Sequence, residues 1–290
     1  MTRGFLVVDK PSGISSNQVV ARVKKATGVK KVGHAGTLDP MATGAVVVGI
    51  GKVTRLMRFI QDQPKEYVAT ALFGVATDTL DADGAILSRV EMSFEPSDLR
   101  AVLPRFTGEI LQVPPMVSAL KHEGRRLYEL ARSGEVIDRA ARPVTIHELE
   151  VTSVGTGPYP EVDFRVVCGK GTYVRSLADD IASALGGPAH LTVLRRLRIG
   201  SLSVEEAMRI DDLGEWEGHL LTPSEALRDL PKVAVGPETE AGVRHGMRFV
   251  AGEVLDCQAK GPYRVTDQHG ELLAVYRRSG EWATPEVVLP

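Results

Sequence analysis

Cysteine is nearly absent from this chain. Its 290 residues include two, Cys168 and Cys257, far apart and without CxxC spacing, which excludes a disulfide framework and a zinc site built on thiolates. No run of about 18 apolar residues occurs, so no helical membrane span is expected. No signal peptide is expected either, because Asp9 ends the apolar run Phe5-Leu6-Val7-Val8. The chain is therefore read as cytosolic. The seven histidines are dispersed, none at i, i+4, and no metal centre is expected. Standard catalytic templates are missing too. Gly49-Ile50-Gly51-Lys52 lacks the spacing and the following Ser/Thr of a P-loop, and neither a GxSxG elbow nor an HExxH pair is present.

What is present is an ordinary globular composition, 43% hydrophobic and 25% charged, which rules out a disordered or fibrous chain. The net charge of −2 conceals a strong segregation. Residues 1–64 carry ten Lys/Arg against three Asp/Glu and residues 165–200 six against two, whereas 65–120 run four against eight and 201–231 two against eight. Such blocks either place a basic, polyanion-binding face opposite acidic ones or are scatter on a solvated surface.

Periodicity predicts a mixed α and β chain with a small β tail. Phe5–Val8 reads as a strand. Ser15 or Ser16 caps a helix that buries Val19, Val20 and Val23 and stops at Gly28. Ala45–Ile50 is a buried strand, followed by an amphipathic helix through Val53, Leu56, Met57 and Ile60. Lys65–Thr77 alternates as one long strand, and 78–84 is an acidic turn. Ser97 is expected to cap a short helix ending near Pro104, and another helix is expected over Leu127–Arg132. Strands at about 145–153 and 161–168, a helix at about 172–185 and a strand over Leu191–Ile199 follow. Beyond 228, short β-branched runs broken by glycine form a separate small β domain.

The densest chemical signal is Gly33–Gly44, GHAGTLDPMATG, with three glycines and a proline in twelve residues. That composition forces a loop, and the buried strand after it fixes the loop's position. The loop carries His34 and Asp39. A carboxylate so held can serve as nucleophile, base or cation stabiliser, or can merely bond nearby amides in an Asx turn.

This segment resembles the signature of the TruB family, the tRNA pseudouridine-55 synthases. Further motifs are similar: Lys10-Pro11-Ser12-Gly13-Ile14-Ser15-Ser16 to the KPxGxSS segment, and Lys65-Glu66-Tyr67 to the lysine–x–tyrosine strand start. Gln112–Lys121, with Gly124, Leu127-Tyr128 and Ala131-Arg132, resembles the RNA-gripping thumb. Cys168–Arg175 resembles the GTYIR segment, and His190 with Leu194-Arg195-Arg196-Leu197 the HxxxLRRL segment. The tail residues Val243–Phe249 resemble part of a PUA domain, a small RNA-binding β-barrel.

The resemblance implies an α+β fold, with a mixed-sheet catalytic domain at 1–228 containing a thumb at about 112–144 and a PUA-like domain at 229–290. It implies an isomerase that flips a T-loop uridine out of a tRNA and rejoins its base through C5, without a cofactor. Asp39 matches the essential aspartate and Arg175 the arginine that pairs with it. Tyr67 matches the tyrosine stacked on the target base, Tyr173 and Leu194 match pocket walls, and His34 matches the residue placed in the vacated stack. Simpler roles exist for some of them: Tyr67 and Leu194 as core, Tyr173 as packing, and Arg175 as an i, i+4 partner of Asp179. Arg22, Lys24, Lys25, Lys30, Lys31, Lys121, Arg125 and Arg126 fit phosphate contacts. The partner expected is the tRNA T-arm, with no membrane, no required protein partner and a monomeric enzyme. The competing readings are an RNA-binding folding factor and an aspartate-dependent nucleoside hydrolase.

Overall fold

The computed structural model describes residues 3–118, 121–122, 125–126, 135, 137–252, 255–257 and 260–289. The whole of the expected helix at Leu127–Arg132, and the thumb residues Ala119, Leu120 and Gly124, lie outside the described residues. No helix among the described residues is long and apolar enough to cross a membrane. The chain divides into two compact units, one of Met1–Asp39, Gly44–Gln63 and Arg198–Pro290, the other of Pro40–Thr43 and Pro64–Leu197.

In the first unit, strand Gly4–Lys10 lies antiparallel to Thr43–Ile50 and parallel to Met208–Arg209, a mixed arrangement. Val32–His34 also pairs antiparallel with Thr43–Ile50. Helix Ser16–Thr27 begins at Ser15, whose side chain forms a reciprocal capping box with Gln18, and ends at Gly28 with φ +69°. Of the two candidate caps it is therefore Ser15 that caps, which leaves Ser16 for another task. The amphipathic helix expected after Ile50 is 3₁₀ over Gly51–Leu56 and α only over Met57–Gln61, with Val53, Leu56, Met57 and Ile60 all buried as the spacing requires.

The C-terminal segment of this unit forms a five-stranded mixed sheet in the order Lys232–Ala234, Tyr263–Thr266, Leu272–Ser279, Trp282–Val288, Phe249–Val250. It corresponds to the expected PUA-like part and has two apolar faces. Val243, Val265, Leu273 and Tyr276 form a core of their own. Leu272, Val275, Val287 and Leu289 instead join a core with Phe5, Val53, Leu56, Phe59, Leu227 and Leu230. One face of the tail sheet thus buries apolar area against N-terminal elements, the dominant favourable term in folding.

In the second unit the strand order is Ala189–Ile199 (all but its last two residues), Lys65–Phe73, Glu161–Cys168, Arg142–Val154, Gly108–Gln112. The long strand expected to Thr77 is broken at Gly74, which has φ +85° and would bring a Cβ within 2.4 Å of the Val90 carbonyl oxygen. Val75–Thr77 then pairs with Ile86–Arg89. The short helix expected from Ser97 begins earlier, at Pro96, because Glu95 and Asp98 form its capping box and Pro96 occupies the first turn. The helix expected at 172–185 spans Val174–Ser183.

Candidate active site

The Asp39 loop is built from its flanks inward. Gly33 and His34 prove to be strand rather than loop, with His34 opposite Val48, and the loop proper begins at Ala35, whose N–H donates to the Val47 carbonyl at 2.8 Å. Gly36 and Gly44 adopt φ +98° and +104°, the left-handed region that favours glycine. Between them, Leu38 is buried and its backbone is clamped twice by Ser16. The Leu38 N–H donates to Ser16 Oγ at 2.8 Å and the Ser16 hydroxyl donates to the Leu38 carbonyl at 3.2 Å. Ser16 itself is 1% exposed. The Ser-Ser dipeptide therefore divides its work: the first serine starts the helix and the second pins the residue before Asp39. Upstream, the fully buried Lys10 donates from Nζ to the carbonyls of Pro11 and Ile14, at 2.9 and 2.7 Å, and so holds the turn that delivers the two serines. Asp39 is half-buried on this fixed backbone.

His34 and Asp39 belong to the first unit; Tyr67, Tyr173, Arg175 and Leu194 belong to the second. Tyr67 is buried near the start of strand Lys65–Phe73, opposite Val166, and shares its buried side with Ala69, Ala71 and Phe73, as the alternation predicts. Leu194 is buried in the adjacent strand Ala189–Ile199. Tyr173 is the residue from which helix Val174–Ser183 starts. Its backbone is bracketed by the buried Gln112 side chain, which accepts from Tyr173 N–H at 2.8 Å and donates to its carbonyl at 3.1 Å.

Arg175, 2% exposed on the first turn of that helix, is held by a residue that sequence reasoning passed over. Its Nη1 lies 3.2 Å from Asp81 Oδ2 and donates to the Thr79 carbonyl at 2.5 Å, and its Nη2 donates to the Val117 carbonyl at 2.9 Å. Asp81 is 5% exposed, and its Oδ1 accepts from the Thr79 hydroxyl at 2.6 Å and the Asp83 N–H at 3.2 Å. A buried ion pair of this kind needs further hydrogen bonds to offset its desolvation, and Asp81 Oδ1 and both terminal nitrogens of Arg175 make them. Leu80, between these groups, has φ +59°, a strained conformation for a bulky side chain, and Asp81 bridges to Leu191 in the strand that carries Leu194. In sequence the acidic turn at 78–84 carries no mark that sets Asp81 apart from its neighbours. The i, i+4 alternative for Arg175 does not occur, because Asp179 accepts from the Ala189 N–H at 3.0 Å. Burial pushes the carboxyl of the adjacent Asp180 up to about 6, with the neighbouring Asp179 charge adding to the shift.

His190, at the head of the HxxxLRRL segment, is buried with Nδ1 2.8 Å from the Val75 carbonyl, a structural contact. Among the described residues no group of three or more His, Cys, Asp or Glu could hold a metal ion.

Comparison with known proteins identifies the family. The model of the TruB family pseudouridylate synthase N-terminal domain matches residues 24–174. The tRNA pseudouridine synthase B of Burkholderia pseudomallei (strain 668) is 42% identical over 291 residues, covering 98% of this chain and 95% of that protein. Among solved structures, the chain is similar to one from a Cbf5-Nop10-Gar1 complex, with TM-score 0.76 and 26% identity over 99% of this chain and 85% of that one. An H/ACA RNP bound to a substrate RNA containing 2'-deoxyuridine gives TM-score 0.74 at 25% identity, with the same coverage. Signature loop, strand tyrosine, helix arginine and near-complete coverage converge on one conclusion: the chain belongs to the TruB family of pseudouridylate synthases.

Proposed function

We propose that this protein converts uridine to pseudouridine at position 55 in the T-loop of tRNAs, with Asp39 as the catalytic carboxylate. The reaction breaks the bond from N1 to the ribose, turns the uracil and rejoins it through C5; C5 gives up its proton and N1 gains one, so substrate and product are isomers. No electrons or groups are exchanged, and the chemistry needs no cofactor. The observation that carries the reading is the double clamp of Leu38 by Ser16, which fixes the main chain beside a half-buried carboxylate. Rigid placement of a reacting group is worth several kcal/mol of barrier.

In this reading the target uridine leaves its stack before reaction, since a nucleotide inside a folded loop is out of reach of a side chain. His34 occupies the space it vacates, Tyr67 stacks on the everted base, and Tyr173 and Leu194 wall the pocket. Arg175 keeps the Asp39 carboxylate ionised when the base excludes water. The segment 112–144 grips the T-arm, residues 1–228 act as the catalytic domain and 229–290 as a PUA-like domain on the same tRNA. The enzyme works as a cytoplasmic monomer without a protein partner.

The test is product analysis on a T-arm transcript. The wild-type chain yields pseudouridine and Asp39→Asn yields none while still binding the RNA. Full activity of Asp39→Asn removes Asp39 from the chemistry. Release of free uracil reassigns the protein as a nucleoside hydrolase, and RNA binding without any altered uridine reassigns it as a folding factor.

A further inference from the structure

Three of the ten cations in residues 1–64 are gathered in one place. Lys31 immediately precedes strand Val32–His34, and Lys52 and Arg55 stand on the 3₁₀ turn Gly51–Leu56 that follows Thr43–Ile50. The two segments are locked side by side, because Val32 pairs with Ile50 and the Gly51 N–H donates to the Lys31 carbonyl at 2.7 Å. Gly51 makes the turn with φ +80°. A fourth cation, Arg244, is the last residue of helix Pro237–Arg244, the end where the backbone dipole favours positive charge. All four side chains are exposed, and with Val288 and Leu289 they line a cavity of about 470 Å³.

No carboxylate lines this cavity among the described residues. Glu240 holds Arg244 Nε at 2.8 Å from one helical turn away and offsets one charge of the four. Like charges collected on a fixed frame repel one another and focus an attractive field for an anion. The composition of the site also says which anion. Guanidinium forks and ammonium point charges are the donors that suit phosphate oxygens. The lining has neither an aromatic ring for a base to stack on nor an amide or hydroxyl side chain to read a base edge. Lys31 stands three residues before His34 along an extended strand, about 10 Å at the usual rise of such a strand. A polynucleotide engaged at the Asp39 loop has other phosphates to place nearby.

We infer that Lys31, Lys52, Arg55 and Arg244 form a binding site for phosphodiester groups of the substrate RNA, apart from the pocket that holds the reacting nucleotide. It grips backbone irrespective of sequence. The inference rests on reading the chain as a tRNA-modifying enzyme, and its test keeps the two separable. Binding of unmodified full-length tRNA is measured by filter retention across a range of KCl for the wild type, for Lys52→Gln/Arg55→Gln, and for Arg100→Gln/Arg105→Gln. The last pair changes net charge equally at exposed positions outside the cavity. The cavity variant is expected to lower the slope of log affinity against log salt by about one to two and to weaken binding roughly tenfold near 0.1 M salt, with the control on the wild-type line. If wild type and cavity variant share one slope while the wild type makes pseudouridine, the phosphate site is wrong and the enzyme reading stands; if the wild type makes none, the enzyme reading fails. In a parallel arm at constant ionic strength, inorganic phosphate that raises the melting temperature of the wild type but not of the cavity variant, with unchanged tRNA slopes, identifies a small phosphate ligand and overturns the RNA assignment.

Discussion

Asp39 and Asp81 are both aspartates in turns rich in small residues, yet the fold treats them in opposite ways. Around Asp81 the side chain is what is fixed. One carboxylate oxygen accepts from the Thr79 hydroxyl and the Asp83 amide while the other faces Arg175, and both Asp81 and Arg175 are buried. Around Asp39 the main chain is fixed through the two bonds from Ser16 to Leu38, and the residue is half-buried. A carboxylate buried against a guanidinium acts as an electrostatic fixture. One that stands on a rigid backbone at a partly open position can meet a substrate.

That contrast is best broken by exchanging which property is lost. The largest effect is expected at Asp39. Asp39→Asn keeps the loop and removes the carboxylate, and pseudouridine formation should fall by on the order of 10⁴-fold or more with the unfolding midpoint unchanged. Asp81→Ala should do the reverse first. It strands the Arg175 guanidinium in a buried site, which costs about 3–5 kcal/mol of stability in denaturant unfolding, whatever follows for activity. Equal stability of Asp81→Ala and wild type would refute the view of Asp81 as a fixture.

Ser16→Ala sharpens the comparison from the backbone side. It removes the buried partner of the Leu38 N–H and C=O and should cost about 1–3 kcal/mol of stability. Because the clamp positions Asp39, kcat should drop while KM stays close to wild type; a change confined to KM would contradict this. The smallest effect concerns Asp180, on the helix that carries Arg175. Burial raises its carboxyl from 3.8 to about 6 in the folded state, so the native protein holds a proton that the unfolded chain releases earlier. Stability is therefore lost as pH rises from about 4 to 6. Asp180→Asn should match wild type below about pH 4 and exceed it at pH 7 by on the order of 1 kcal/mol, a figure reduced for the solvent the side chain still meets. Urea melts at the two pH values check this.

Much of the site was legible because its signals are local. The GHAGTLDPMATG segment announces a constrained loop through its glycines, and the alternation from Tyr67 through Phe73 correctly places the tyrosine on a buried strand side. The break at Gly74 was not legible, since it depends on the Val90 carbonyl, which reaches that point only in three dimensions. The same holds for Ser16, where a second serine beside a good helix cap carries no mark of its 22-residue reach to Leu38. The acidic turn at 78–84 looks like solvated surface until Arg175, almost a hundred residues on, is packed against it.

Sequence by itself determined the residue types and the short-range geometry: a carboxylate on a glycine-bent loop, a tyrosine on an alternating strand, an arginine at a helix start, and a basic N-terminal block. Those follow from steric and periodic constraints acting over a few residues. Only the tertiary structure decided the partners, namely Ser16 for Leu38, Asp81 for Arg175, Gln112 for Tyr173, and Arg244 beside Lys31, Lys52 and Arg55. A buried polar group must find its complement wherever folding brings one, and that choice is made by burial of distant segments together rather than by their order in the chain.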